Sequence, residues 1–242
     1  MNAKKLNSIK GIIYSSIMII AWTGSLVFLL TREISGLSAL FIVAGFVVQT
    51  WLYTGLFITA HDSMHGLVYP MRRNVNDLFG RIALTLYAFF SFSFLQNKHW
   101  DHHKYPASSK DPDFNDGVHT SFFRWYFKFM KTYMKWPQIV GMAVAFNVLL
   151  HLFKIPVANL VIFWIIPAFA STFQLFYFGT FLPHRKLEKD FIDHHRARSN
   201  EYPVLLSLLT CFHFGYHWEH HAFPNQAWWQ LPAKRREVKK SG

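Results

Sequence analysis

The chain has 242 residues, 52% hydrophobic and 19% aromatic, with 25 Lys and Arg against 13 Asp and Glu for a formal net charge of +12. So apolar a composition argues against a water-soluble domain and for a membrane protein. The single cysteine, Cys211, excludes an intrachain disulfide and a thiolate metal cluster, so any metal chemistry must use nitrogen and oxygen.

Residues 11–31 contain no Lys, Arg, Asp or Glu, and about 20 apolar residues suffice to cross a bilayer core. Lys4, Lys5 and Lys10 precede this run as they would a signal peptide. The run is too long for a signal h-region and lacks a small-residue cleavage site, so it is expected to be an anchor. After "REISG" a second charge-free run, 34–60, predicts a span over 37–60 that forms an antiparallel hairpin with the first. His61 and His65 stand four apart where that span ends, which puts both rings on one helix face. Residues 82–97, uncharged and rich in Phe and Ser, are too few for a full crossing and predict an interfacial or re-entrant helix. They lead into "HWDHH" at 99–103. A third, shorter span is predicted over 137–153, despite Asn147 and His151, and a fourth over 157–182 after the turn at Pro156. A second short apolar piece, 203–216, precedes "HWEHH" at 217–221, and the tail "AKRREVKKSG" reads as a loose basic end.

The expected fold is therefore all-α, one integral-membrane domain over 1–242, with four transmembrane helices and a histidine-rich di-metal cap. With spans at 11–31, 37–60, 137–153 and 157–182, Arg32 and Lys154 fall on one side and the other 23 of the 25 basic residues on the opposite side. The positive-inside rule makes that opposite side cytoplasmic, together with both termini and the histidine words. The basic excess is then a matter of topology, and nucleic acid is excluded as a partner.

The histidines carry the chemistry. Each "HxxHH" word places imidazoles at i, i+3 and i+4, the two adjacent ones splayed by about 100° around a helix, so one turn can serve two metals. Two such words arise by chance in roughly one chain in a thousand. A structural zinc needs four ligands and a catalytic zinc three, whereas eight or more imidazoles suit two metals with four or five nitrogens each. Iron, copper and zinc all accept such a donor set. Redox iron fits a site just beneath the membrane, facing apolar substrates. Asp62, Asp101 and Glu219, inside the words, are candidate acceptors for the second ring N–H. The charge-free span centres argue against a transporter, the non-enzymatic alternative.

"HDSMH", "HWDHH" and "HWEHH", in this order over a four-span chain, resemble the membrane fatty-acid desaturase and hydroxylase superfamily. The flanking strings "HDSMHGLVYP", "FGTFLPHR" and "ARSNEYPVLLSLLTCFHFGYHWEHHAFPNQAWWQLP" are similar to its bacterial carotenoid-ketolase branch, over about 59–232. The resemblance implies a bacterial inner-membrane enzyme with two Fe ions and O2 as co-substrate. Its ligands would be His61, His65, His99, His102, His103, His217, His220 and His221, with His184 as the additional histidine between the second and third boxes. His213, one helical turn before His217, would be a further ligand or would support one, as would His195; His119, His151 and His194 are expected to be ordinary histidines. Where relatives carry a histidine soon after "DPDF", this chain has "DPDFND" at 111–116, which leaves that segment's part in the site open.

The implied reaction is two hydroxylations at ring C4 of beta-carotene followed by loss of water, giving echinenone and then canthaxanthin. The carotenoid would enter from the lipid phase, through a channel lined by Phe89, Phe90, Phe92, Phe94, Phe173, Phe176, Tyr177 and Phe178. Electrons would come from a ferredoxin-like donor, since no flavin, haem or iron–sulfur motif is present. A carotenoid 3-hydroxylase or a fatty-acyl desaturase or hydroxylase would use the same boxes.

Overall fold

The computed structural model describes residues 3–115, 120–185 and 191–241; His119 and Asp116, both weighed above, lie outside them. The described residues form helices and no strand. Three helices are long and apolar enough to cross a bilayer: α1 (Ala3–Leu30), α2 (Ala39–Met64) and α7 (Val157–His184). Shorter helices complete the molecule: α3 (Arg73–Ala88), α4 (Phe92–Lys104), α5 (Phe122–Tyr133), α6 (Trp136–Leu152), α8 (Val204–Cys211), α9 (His217–Ala222) and α10 (Leu231–Ser241).

Two of the three long helices turn strongly apolar side chains outward, with Ile20 70% and Leu40 78% exposed, as lipid contact requires. Inward they bury Trp22, Leu26, Leu29, Leu56, Leu160 and Phe163 in one core. Asn159 fixes the relative height of the helices. Its Nδ2 donates to the carbonyls of Leu29 (3.1 Å), Leu30 (3.3 Å) and Arg32 (2.8 Å), so the Arg32 loop and the start of α7 lie at one end of the bundle. At the other end Gly11 of α1 packs on the loop after His65, where a Cβ would stand 2.2 Å from the Val68 carbonyl oxygen.

Helix α7 carries two π-helical turns, Val161–Ile165 and Tyr177–Phe181. Each precedes a proline, Pro167 or Pro183. A proline ring strikes the carbonyl four residues back, here Phe163 and Gly179, and widening those turns removes the clash.

The structure bears on three expectations and corrects the last of them. The predicted third span is α6, 12 α-helical residues and a five-residue π turn, with none of its residues buried. At 1.5 Å per residue it is about 25 Å long, short of the roughly 30 Å hydrocarbon core. Among the described residues three helices meet the length of a crossing, and α3 with α4 would make a fourth if that bent pair is one broken span. Residues 82–97, expected as an interfacial or re-entrant helix, fall on a bent pair, α3 and α4, which meet at 101° as a re-entrant segment or a broken span would. Phe89 ends α3 in the left-handed region (φ 57°), and Ser91 starts α4 by accepting from the Phe94 N–H at 3.4 Å. The basic tail is not loose: it forms α10, which Arg235 ties back to the body of the protein.

Candidate metal centre

Four elements deliver histidines to one place. Helix α2 brings His61 at its last turn and His65 as its C-cap; α4 brings His99, His102 and His103. Helix α7 ends on His184, and α9 begins with His217 and carries His220 and His221.

They sort into two groups, His61–His65–His99–His220 and His102–His184–His217–His221, within each of which the ligand atoms lie within 4.8 Å of one another. His103 joins the first, its Nε2 3.1 Å from His99 Nε2 and 2.9 Å from His220 Nε2, while its ring stacks on His221 of the second at 4.3 Å. The two words are used in opposite senses. In "HWDHH" the i,i+4 pair His99 and His103 serves the first group and His102 the second; in "HWEHH" the pair His217 and His221 serves the second and His220 the first. The 100° step between adjacent helical residues produces this division.

The donor set fits metal ions. Nε2 meets Nε2 between His61 and His220 (3.1 Å), His65 and His99 (2.6 Å), His102 and His221 (3.0 Å), and His217 and His221 (3.1 Å). Imidazole lone pairs aimed at each other repel unless a proton or cation sits among them, and two nitrogens each about 2.1 Å from one ion at right angles lie about 3.0 Å apart. His184 makes the point alone. Its Nδ1 donates to the Arg196 carbonyl at 2.8 Å, which leaves a buried Nε2 with no hydrogen-bond partner facing the second group. His217, His220 and His221 are held neutral, their pKa values pushed well below the usual histidine range by burial and then by neighbouring rings. That is the ligating form.

The groups that orient these rings come largely from outside the words. Asp111 receives His102 Nδ1 on both oxygens (2.9 and 3.0 Å), together with the backbone N–H groups of Ala107 (2.8 Å) and Asp113 (2.9 Å). Burial draws the His102 pKa down, but Asp111 and Asp113 outweigh it and raise it to about 9. Burial likewise works against the Asp111 carboxylate, and His102 holds it below its ordinary range. Asp111, His102 and Asp113 also stand within metal-holding distance of one another, but with both Asp111 oxygens engaged by N–H donors the trio acts as a support for His102.

Of the three acids inside the words, only Asp62 stands by a histidine of the site. Its Oδ1 is 3.5 Å from His61 Nδ1, and its Oδ2 accepts from the Trp228 N–H at 3.1 Å. Glu219 is buried but accepts from Arg235 (2.6 Å) and the Ser199 hydroxyl. Among the described residues no hydrogen bond joins the Asp101 side chain to a site histidine.

His213 lies outside both groups. With φ 63° it sits in a turn before α9 rather than one helical turn from His217, and its ring stacks on Tyr216 at 5.6 Å. His195 also lies outside, packed on His194 at 4.0 Å. His151 and His194 are exposed.

Beside the first group is a largely apolar cavity lined by, among others, Phe57, Met64, Tyr87, Phe90, Leu175 and His99. Of the eight aromatic residues expected to line a channel, Phe90 is the one that lines this cavity. Phe176 is instead the centre of a second core with Trp125, Tyr126 and Phe129, and Phe92 packs on Gly80. Gly179, in the second π turn of α7, admits the ring of Phe214, which packs on His61 (4.9 Å) and His217 (5.1 Å); a Cβ there would stand 2.0 Å from that ring.

The fatty acid desaturase family model matches residues 37–140 and 128–241. A protein of Paracoccus sp. (strain PC1) named beta-carotene ketolase is 45% identical over 191 residues, 77% of this chain and 76% of its own. One of Haematococcus lacustris with the same name is 43% identical over 205 residues, 82% of this chain and 63% of its own, so the chain spans less than two thirds of that relative. A zeaxanthin 4-ketolase of Chlamydomonas reinhardtii is 41% identical over 198 residues, 81% of this chain and 44% of its own.

Proposed function

The chain belongs to the fatty acid desaturase family, and from that premise we propose that this integral membrane protein is an O2-dependent, di-iron carotenoid 4-ketolase acting on beta-carotene. The observation that carries the reading is the meeting of nine imidazoles with an apolar cavity that one of them, His99, helps to line. The similarity to ketolases of Paracoccus and Haematococcus supports the choice of substrate.

His61, His65, His99, His103 and His220 would hold one iron, and His102, His184, His217 and His221 the other. Bound iron supplies the activation of O2 and the removal of hydrogen from an unreactive ring carbon. The protein's own part is placement. Asp111 accepts the Nδ1 proton of His102, and the Arg196 carbonyl does the same for His184, which would leave Nε2 of each ring to the metal. The walls of the cavity exclude water and set how deep the ring sits, which selects C4 over C3. After two oxygenations that carbon bears two hydroxyls, and loss of water leaves the ketone.

The distribution of Arg and Lys supports both termini and the metal centre on the cytoplasmic side of a bacterial inner membrane, with the Arg32 loop and the α6–α7 turn opposite. Electrons then come from a ferredoxin-like donor on the cytoplasmic side.

Pigment analysis after expression in a beta-carotene-producing bacterium tests the reading. 4-Keto carotenoids are expected; 3-hydroxylated product without ketone would make the protein a hydroxylase, and unchanged beta-carotene with altered fatty acids a desaturase.

A further inference from the structure

The cavity against His99 is lined by a carboxylate, Asp113, and a phenol bonded to it, Tyr133. Phe57, Phe90, Leu95 and Leu175 make its walls apolar, yet Asp113 and Tyr133 face the same space. The Tyr133 hydroxyl donates to Asp113 Oδ1, and the Trp125 indole N–H donates to the Asp113 carbonyl at 2.7 Å, so the pair is fixed on two sides. Asp113 Oδ2 lies 3.8 Å from His102 Nδ1, too far for a hydrogen bond, and retains the capacity to accept one. Tyr133 and the nearby His102 offset part of the cost of burying this carboxylate, and Oδ2 keeps an acceptor position that a ligand hydroxyl could fill.

We propose that Asp113 and Tyr133 form a subsite for a hydroxyl group on the carotenoid ring. This rests on the ketolase reading and extends it to the oxygenated forms of the substrate. Such a hydroxyl has two sources: the 4-hydroxyl left by the first oxygenation, or a 3-hydroxyl already present on the incoming ring. In either case the substrate O–H donates to Asp113, while Tyr133 keeps the carboxylate turned into the cavity. Holding the 4-hydroxyl would retain the half-oxidised ring for its second round. Holding the 3-hydroxyl would favour hydroxylated carotenoids over beta-carotene. A site that pairs with a substrate hydroxyl discriminates by hydrogen bonding more sharply than an apolar pocket discriminates by size.

Tyr133→Phe in membranes, supplied with beta-carotene in one arm and a 3-hydroxylated carotenoid in the other, tests the proposal. A subsite for the 4-hydroxyl raises the ratio of 4-hydroxy to 4-keto product from beta-carotene about tenfold, equivalent to about 1.4 kcal/mol. A subsite for the 3-hydroxyl lowers kcat/KM for the hydroxylated substrate about tenfold relative to beta-carotene. Unchanged ratios in both arms, or an equal fall for every substrate as a merely structural clamp between α5 and the loop would give, overturn the proposal. Should the variant lose its metal, the wild-type chain decides: 4-hydroxy or 3-hydroxy ring substrates must show a KM about tenfold below that of beta-carotene, and equal KM values overturn it. Ketone from the wild type with unchanged ratios in the variant sinks the subsite alone, whereas no ketone from the wild type sinks the ketolase reading and the subsite with it.

Discussion

Asp111→Asn isolates the support of a single ring. The carboxylate accepts from His102 Nδ1 with both oxygens and from the N–H groups of Ala107 and Asp113, one on each oxygen. Asparagine keeps the shape but replaces one oxygen with an NH2 group, so one donor of the set must face another donor. His102 then loses the charge that fixes its tautomer and the aim of Nε2 toward His184, His217 and His221. Loss of such a support typically costs 10- to 100-fold in metal affinity, or about 1.4–2.7 kcal/mol. In a chelator titration of the purified, metal-loaded protein, followed by metal analysis per chain, the midpoint should move to 10- to 100-fold lower chelator. One of the two equivalents should leave first. Asp101→Asn, in which the altered carboxylate makes no hydrogen bond to a site histidine, serves as the comparison. Equal midpoints for Asp111→Asn and the parent, or the same displacement in both variants, would refute the reasoning.

The remaining predictions use the same measurements. His220→Ala removes a ring whose Nε2 meets both His61 (3.1 Å) and His103 (2.9 Å), and should abolish ketone and release the metal of the first group. His213→Ala, outside both groups, should keep two metals per chain. Gly179→Ala puts a methyl into the ring of Phe214. Overpacking of this kind costs about 1–3 kcal/mol, so the melting temperature should fall by about 2–12 °C, with weaker metal retention than the parent. Metal loading should also fall with acid. The pKa values of His217, His220 and His221 are depressed in the folded protein, so their contribution is complete above about 6.5, the value in the unfolded chain, and is lost as pH falls below it. Protons and metal compete for the same lone pairs, and chelator midpoints that do not change between pH 7.5 and 5.5 would contradict this.

The grouping of the histidines was legible because their spacing is itself the geometry. A helix that carries His at i, i+3 and i+4 must send two rings to one side and the third about 100° away, and "HWDHH" and "HWEHH" do this whatever the rest of the chain does. The groups around the rings were not legible, because loops and helix ends deliver them. Asp111 reaches His102 after a turn in which Ala107 takes φ 48°, and the Arg196 carbonyl reaches His184 from a residue at φ 44°. Neither position is a glycine, so no residue marks the turn. Nor does glycine or proline mark the break at Phe89, where packing on Gly141 of α6 accompanies the left-handed conformation. The partner of Glu219, an acid inside the words, was not legible for a related reason. Glu219 sits on a short helix beside α10, and Arg235, whose partner cannot be inferred from a run of basic residues, reaches it before any histidine does. Helical periodicity tells which side chains share a face, while the partner opposite that face is chosen by tertiary packing. For this protein the grouping of the histidines therefore belongs to the first kind of information, and the residues that contact them, together with Asp113 and Tyr133 on the cavity wall, belong to the second.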